Sequence, residues 1–171
     1  MNRRTTLTLT TMALLCITVA LPSGDAAAQQ KSLKDQLVGT WTLVSYEDIN
    51  PNGTKKQYLG ANPKGILMLD AGGRYAIMYG PSDRPKLKGS RADATAEEFR
   101  AAVGTFAATF GTWSVNEADK TLTRRYEGAL FPNVEGTTTN AAVSLAGDEL
   151  TLTVLGQPGV GRTDAVYKRA K

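Results

Sequence analysis

The tripeptide Gly-Thr-Trp occurs twice, as Gly39-Thr40-Trp41 and Gly111-Thr112-Trp113, each time at the head of a run of strand-forming residues. Glycine lets the backbone pass close to a neighbouring chain, and a tryptophan two residues on faces the same side of the strand. Each copy therefore sets a large apolar plate beside a gap, an arrangement suited to closing the end of a barrel. In the first strand, read over residues 38–48, Gly39, Trp41, Leu43 and Ser45 share one face while Val38, Thr40, Val44 and Tyr46 share the other. Neither face is plainly polar, which suits a strand covered on both sides.

The rest of the chain reads as short strands. Residues 65–69 and 74–79 alternate around Asp70-Ala71-Gly72-Gly73, a clear hairpin signal. Further strands are predicted at 113–116, 121–127, 136–145, 149–155 and 165–169, with turns at residues 117–120 and at Gly147-Asp148. Regular spacing of this kind favours an antiparallel meander over parallel units with crossover helices. The count is eight, at which a closed barrel is just wide enough for its own side chains or one small ligand. Leu33 to Leu37 reads as a single helical turn corking one end. The period changes once more, after Thr95-Ala96-Glu97-Glu98, a capping box in which the threonine and Glu98 reciprocally satisfy free N–H groups. Ala96, Phe99, Val103, Phe106 and Phe110 follow at three-four spacing, which predicts one helix over about residues 95–109 with its phenylalanines buried against the barrel.

Residues 1–28 are set apart from the fold. Arg3 and Arg4, an apolar run from Met12 to Leu21 and Ala26-Ala27-Ala28 form a secretory signal with a cleavage site after Ala28, leaving residues 29–171 as one domain. The expected location is the periplasm or the exterior. The apolar run is shorter than the ~20 residues of a membrane span. Losing Arg3, Arg4 and Asp25 takes the net charge from +4 to +3, with both signs scattered, so nucleic-acid binding is not suggested.

Histidine is absent, and the only cysteine, Cys16, lies in the signal. Cys-His or Ser-His-Asp catalysis, thiolate or imidazole zinc sites and ordinary haem ligation are thereby removed, and no cofactor or metal is expected. Gly156-Gln157-Pro158-Gly159-Val160-Gly161 lacks the lysine and helix of a phosphate loop. What remains is tyrosine, arginine and carboxylate chemistry. Arg124 shares a strand face with Leu122 and Tyr126, and Tyr75 and Tyr79 share one with Ile77. If those faces point inward, Arg124 needs a partner: an internal carboxylate, a rim position or an anionic ligand. Phenols there either orient a ligand or pack in the core with satisfied hydroxyls.

Several segments carry a resemblance. Leu37-Val38-Gly39-Thr40-Trp41, Asn62-Pro63-Lys64-Gly65, Asp83-Arg84-Pro85, Ala94 to Phe99, Phe110 to Trp113, Glu127 to Asn133 and Tyr167-Lys168-Arg169 occur in the order seen in the lipocalin-like domain family of bacteria and fungi, which this chain resembles from Leu37 to Arg169. The resemblance implies an eight-stranded antiparallel barrel with a cavity. It also implies closure by Gly39, Trp41 and Arg169, the arginine packing across the tryptophan. Three positions depart from the family pattern: Arg124 and Arg125 stand where relatives often carry histidines, and Val134 where a tryptophan is common.

The reading that follows is an all-β, lipocalin-like barrel binding a small hydrophobic or amphipathic molecule, with an anionic group compatible with Arg124. Arg124, Tyr126, Tyr75 and Tyr79 are the candidate ligand-binding residues, and no catalytic residue is assigned. Two alternatives stand beside it. One is a cofactor-independent cyclase or isomerase using Tyr, Glu or Arg; the other is a barrel filled by Trp41, Trp113, Met68, Met78 and the phenylalanines.

Overall fold

The computed structural model describes residues 31–156 and 161–171; the secretory signal read over 1–28 and the middle of the 156–161 glycine-rich stretch lie outside them. Helix α1 (Leu33–Leu37) leads into β1 (Gly39–Ile49), followed by β2 (Lys55–Lys56), β3 (Lys64–Leu69) and β4 (Arg74–Gly80). Helix α2 (Ala96–Val103) precedes β5 (Ala107–Asn116) and β6 (Thr121–Ala129), and β7 (Thr138–Ala146), β8 (Glu149–Leu155) and β9 (Arg162–Arg169) complete the chain. Apart from β2, each strand pairs antiparallel with the next, and β1 pairs with both β3 and β9, closing an eight-stranded barrel. The two residues of β2 extend the far end of β1. Closure leaves the eight wall strands no free edges.

The two ends differ because the turns differ. Tight connections at 70–73, 117–120 and 147–148 gather at one end with α1, while 50–63, 81–106 and 130–137 gather at the other. At the tight end the core is apolar: Leu37, Trp41, Leu67, Leu69, Trp113, Leu122 and Leu150 are buried. The Trp41 indole donates from Nε1 to the Leu37 carbonyl at 2.8 Å, and the Trp113 indole donates to the Asp70 carbonyl at 3.0 Å. The Arg169 guanidinium lies 4.1 Å from the Trp41 ring centroid and donates to the carbonyls of Val38 (3.1 Å) and Gln36 (2.6 Å). It thus joins the last strand to the helix before the first. Helix α1 is held from the other side by Glu117, whose carboxylate accepts from the backbone N–H groups of Leu33 and Lys34 at its start.

Gly39 is required twice over: its φ is +137°, and a Cβ there would sit 2.9 Å from Arg169 Nη1. Gly39→Ala is expected to cost about 1–3 kcal/mol, from backbone strain and displacement of the guanidinium. A chemical-denaturation midpoint measures this, and an unchanged midpoint would show that the Arg169 contact adds nothing.

Helix α2 is shorter than its sequence pattern. The capping box forms as read, with Glu98 N–H donating to Thr95 Oγ1 and Thr95 N–H to the Glu98 carboxylate. The helix stops at Val103, however, and residues from Ala107 onward pair with β4, Tyr79 opposite Ala107 and Ala76 opposite Phe110. The free edge of β4 offers these residues a ladder of hydrogen bonds that outweighs three-four spacing. Phe110 is consequently an outward strand residue, 52% exposed, and no residue of α2 is fully buried. Phe106 packs beside Arg84, whose guanidinium sits 4.2 Å from the ring centroid and donates to the Ala102 carbonyl.

Candidate functional site

Inward residues fill the tight half of the barrel and leave a cavity of about 330 Å³ in the other half. Of the fillers named for a filled barrel, Trp41 and Trp113 are buried at the tight end, whereas Met68, Met78 and Phe110 are exposed. The cavity wall is built by strand alternation. Strand β6 turns Leu122, Arg124 and Tyr126 inward; β4 contributes Ile77 and Tyr79; β8 contributes Leu152 and Val154; β9 contributes Thr163, Ala165 and Tyr167. Gly65 leaves room beside Tyr79, since a Cβ there would lie 2.8 Å from the Tyr79 Cβ and 2.9 Å from the Leu43 Cβ.

Strand β1 departs from simple alternation. Its pairing with β9 runs Leu43 to Tyr167 and then Ser45 to Val166, a bulge that shifts the register by one. Trp41 and Leu43 face the core, yet beyond the bulge Tyr46 and Asp48 also face the lumen. The sequence reading put Tyr46 on the face opposite Trp41. The extra residue inverts the phase, and with it the face of everything that follows.

Arg124 is the unusual member. It is 8% exposed, makes no ion pair among the described residues, and its Nε has no hydrogen-bond partner. Neither the rim position nor an ion pair with an internal carboxylate, both considered from sequence, is found among the described residues. Its guanidinium carbon lies 5.9 Å from the Tyr75 ring centroid, a cation–π contact that offsets only part of the cost of burying a charge. Of the four candidate residues, Arg124, Tyr126 and Tyr79 line the cavity; Tyr75 stands behind Arg124, edge-on to Tyr126 with centroids 6.4 Å apart. Tyr126 and Thr139 share a hydroxyl hydrogen bond of 2.7 Å, and Tyr75 donates to Thr109 at 3.5 Å.

Tyr46, Asp48, Tyr167 and Thr163 were missed as liners. The bulge hides the first two, whereas Thr163-Asp164-Ala165-Val166-Tyr167 carries a legible alternation that could have found the others. Tyr46 stacks on Tyr79 with centroids 5.2 Å apart. Burial, reinforced by the Tyr79 phenol, pushes the Tyr46 hydroxyl far above its ordinary pKa. Burial likewise raises Tyr167, with Arg124 working the other way, and it raises Tyr79 and Tyr75. These phenols stay protonated at neutral pH, fit to donate hydrogen bonds and poor as bases. Among the described residues the one carboxylate lining the cavity is Asp48, whose Oδ1 accepts from Thr163 Oγ1 at 2.8 Å.

Raised phenols carry a sign. Below the ordinary phenol pKa of about 10 both folded and unfolded chains are protonated and stability is unaffected by pH. Above it the unfolded chain loses protons that the native one keeps, so stability falls progressively through the raised native values. Denaturant midpoints measured across alkaline pH are expected to hold to about 10 and then decline, with phenolate absorbance from these four rings appearing as the barrel unfolds. Full phenolate absorbance with the barrel intact would contradict their burial.

A closed antiparallel barrel with one end filled by apolar side chains and a cavity in the other defines the class: a small calyx-type β-barrel. Residues 38–164 match the lipocalin-like domain, and the chain belongs to that family. Solved structures of similar shape include a lipocalin-like protein from Bacteroides uniformis ATCC 8492, 14% identical, over 78% of this chain and 98% of that one, with a TM-score of 0.44. A de novo designed fluorescence-activating β-barrel matches over 82% of this chain and 99% of its own, with 10% identity and a TM-score of 0.42. The wild-type fluorescent protein UnaG matches over 80% and 98%, with 16% identity and a TM-score of 0.37. Among curated proteins none matches the sequence. No described helix is long and apolar enough to cross a membrane.

Proposed function

We propose that the protein is an exported carrier that holds a small amphipathic molecule in the open half of the barrel, with an anionic group of that molecule against Arg124. The observation behind the reading is a buried guanidinium whose Nε has no hydrogen-bond partner among the described residues, on the wall of a cavity. A buried charge is retained at several kcal/mol of desolvation cost unless something pairs with it, and a planar fork of donors suits a carboxylate. The apolar part of the ligand would lie along Ile77, Leu152, Val154 and Ala165, with Tyr79 and Tyr126 fixing its orientation. A cavity of about 330 Å³ lies at the low end of the ~300–1,000 Å³ typical of such sites, which favours a compact ligand.

Native mass spectrometry of the protein, purified from the compartment where it accumulates, tests this. A stoichiometric small-molecule adduct that disappears in Arg124→Met is the expected result. A bare mass, together with no uptake of any short-chain or medium-chain carboxylate, would sink the carrier reading.

A further inference from the structure

Eight wall strands make a ring in which β1 and β6 stand opposite, since the path from one to the other crosses three strands either way, β3-β4-β5 or β9-β8-β7. Arg124 projects inward from β6 and Asp48 projects inward from β1. The two opposite charges therefore share one cavity from facing walls, and no ion pair joins them or satisfies either from another described residue. Asp48 is not adrift. The side chain of Thr163, itself buried, donates to its Oδ1 at 2.8 Å, which sets the carboxylate's orientation, while Oδ2 has no hydrogen bond among the described residues. Between the two charged groups run apolar side chains, Ile77 on one wall and Leu152, Val154 and Ala165 on the other. The lumen thus carries opposite charges at two opposed points, and between them a mixed wall of these apolar side chains and the phenols of Tyr46, Tyr79, Tyr126 and Tyr167.

From this we infer that the ligand is bifunctional: an anionic group such as a carboxylate at one end meets Arg124, and a hydrogen-bond donor, hydroxyl or ammonium, at the other meets the free oxygen of Asp48. The inference rests on the carrier reading and narrows it. A simple fatty acid satisfies Arg124 and leaves Asp48 facing an alkyl chain; a dicarboxylate places like charges together at Asp48. A short chain with an acid at one end and a donor at the other satisfies both walls and covers the apolar strip. Asp48 is half-buried, so the selectivity comes from the charge-assisted hydrogen bond that an ω-donor makes to its carboxylate and a plain alkyl chain does not.

The test is a calorimetric titration of the purified protein with hexanoate and octanoate, their ω-hydroxy and ω-amino derivatives, and the matching dicarboxylates. The expected order is ω-substituted acid over plain acid by about tenfold or more, with the dicarboxylate weakest. In Asp48→Ala the preference for the ω-substituted acid should vanish while plain-acid binding persists. If plain acids bind, lose their affinity in Arg124→Met, and gain nothing from an ω-donor in the wild-type protein, the bifunctional ligand is ruled out and the carrier reading stands. A preference that survives in Asp48→Ala also overturns the inference, since the donor is then recognised elsewhere. Failure of every acid in both series overturns the inference and the carrier reading together.

Discussion

Trp41→Ala is expected to bring the protein close to its unfolding threshold. The side chain is completely buried at the tight end, between the α1 carbonyl that accepts its indole N–H and the Arg169 guanidinium stacked on its face. Large-to-small substitution of a buried tryptophan costs about 3–5 kcal/mol through lost burial and the cavity left behind. Removing the indole also orphans the Leu37 carbonyl and the cation–π contact, for roughly ~1 kcal/mol each. Domains of this kind have about 5–15 kcal/mol of total stability, so most or all of the margin is consumed. The sole cysteine lies at position 16, so no disulfide can hold the rest of the chain together. Trp41→Phe retains much of the packing and should lose only about 1–3 kcal/mol. Chemical denaturation of the pair gives the comparison. A loss below ~2 kcal/mol in Trp41→Ala would mean that β1 closes the barrel without depending on the indole.

Arg124→Met is expected to separate stability from binding. Because the guanidinium is buried without a carboxylate, replacing it with an apolar side chain of similar length removes a desolvation cost and breaks no ion pair. The ligand-free protein should be unchanged or more stable by about 1–2 kcal/mol. Affinity for a carboxylate ligand should fall by about thirtyfold or more, the loss of a charge-assisted pair. Denaturation midpoints without ligand, set beside titrations with a short-chain carboxylate, read both effects on one preparation. A residue placed for structure loses stability when truncated; a residue placed for a ligand loses only binding. A destabilisation above ~2 kcal/mol in the ligand-free variant would identify Arg124 as a core member with a satisfied role.

These two residues illustrate how much of the molecule could be read along the chain. The Gly39-Thr40-Trp41 opening, the turn at residues 70–73 and the alternating runs that follow were local signals, each complete within a few residues, and they lead to eight strands, α1 and a closed meander. Alternation on β6 and β4 was equally local, and it placed Arg124, Tyr126 and Tyr79 on lumen-facing positions. Tyr75 shares the face of Tyr79, but it lies nearer the filled end, and distance along the barrel axis has no signature in a two-residue period.

Three features were settled only in three dimensions. The end of α2 at Val103 depended on whether β4 had a free edge for residues 107–111, which helical spacing does not reveal. The inward turn of Tyr46 and Asp48 depended on a bulge where β1 meets β9, a register set by pairing partners more than a hundred residues apart. The solitude of Arg124 depended on which carboxylates the closed ring brings within reach, and among the described residues the one lining its cavity, Asp48, projects from the opposite wall. Amino-acid order determined the strands and the faces they present, because those follow from neighbours one and two residues away. The pocket and the two opposite charges on its facing walls belong to the closed barrel, because distance across a lumen arises only when the first and last strands meet.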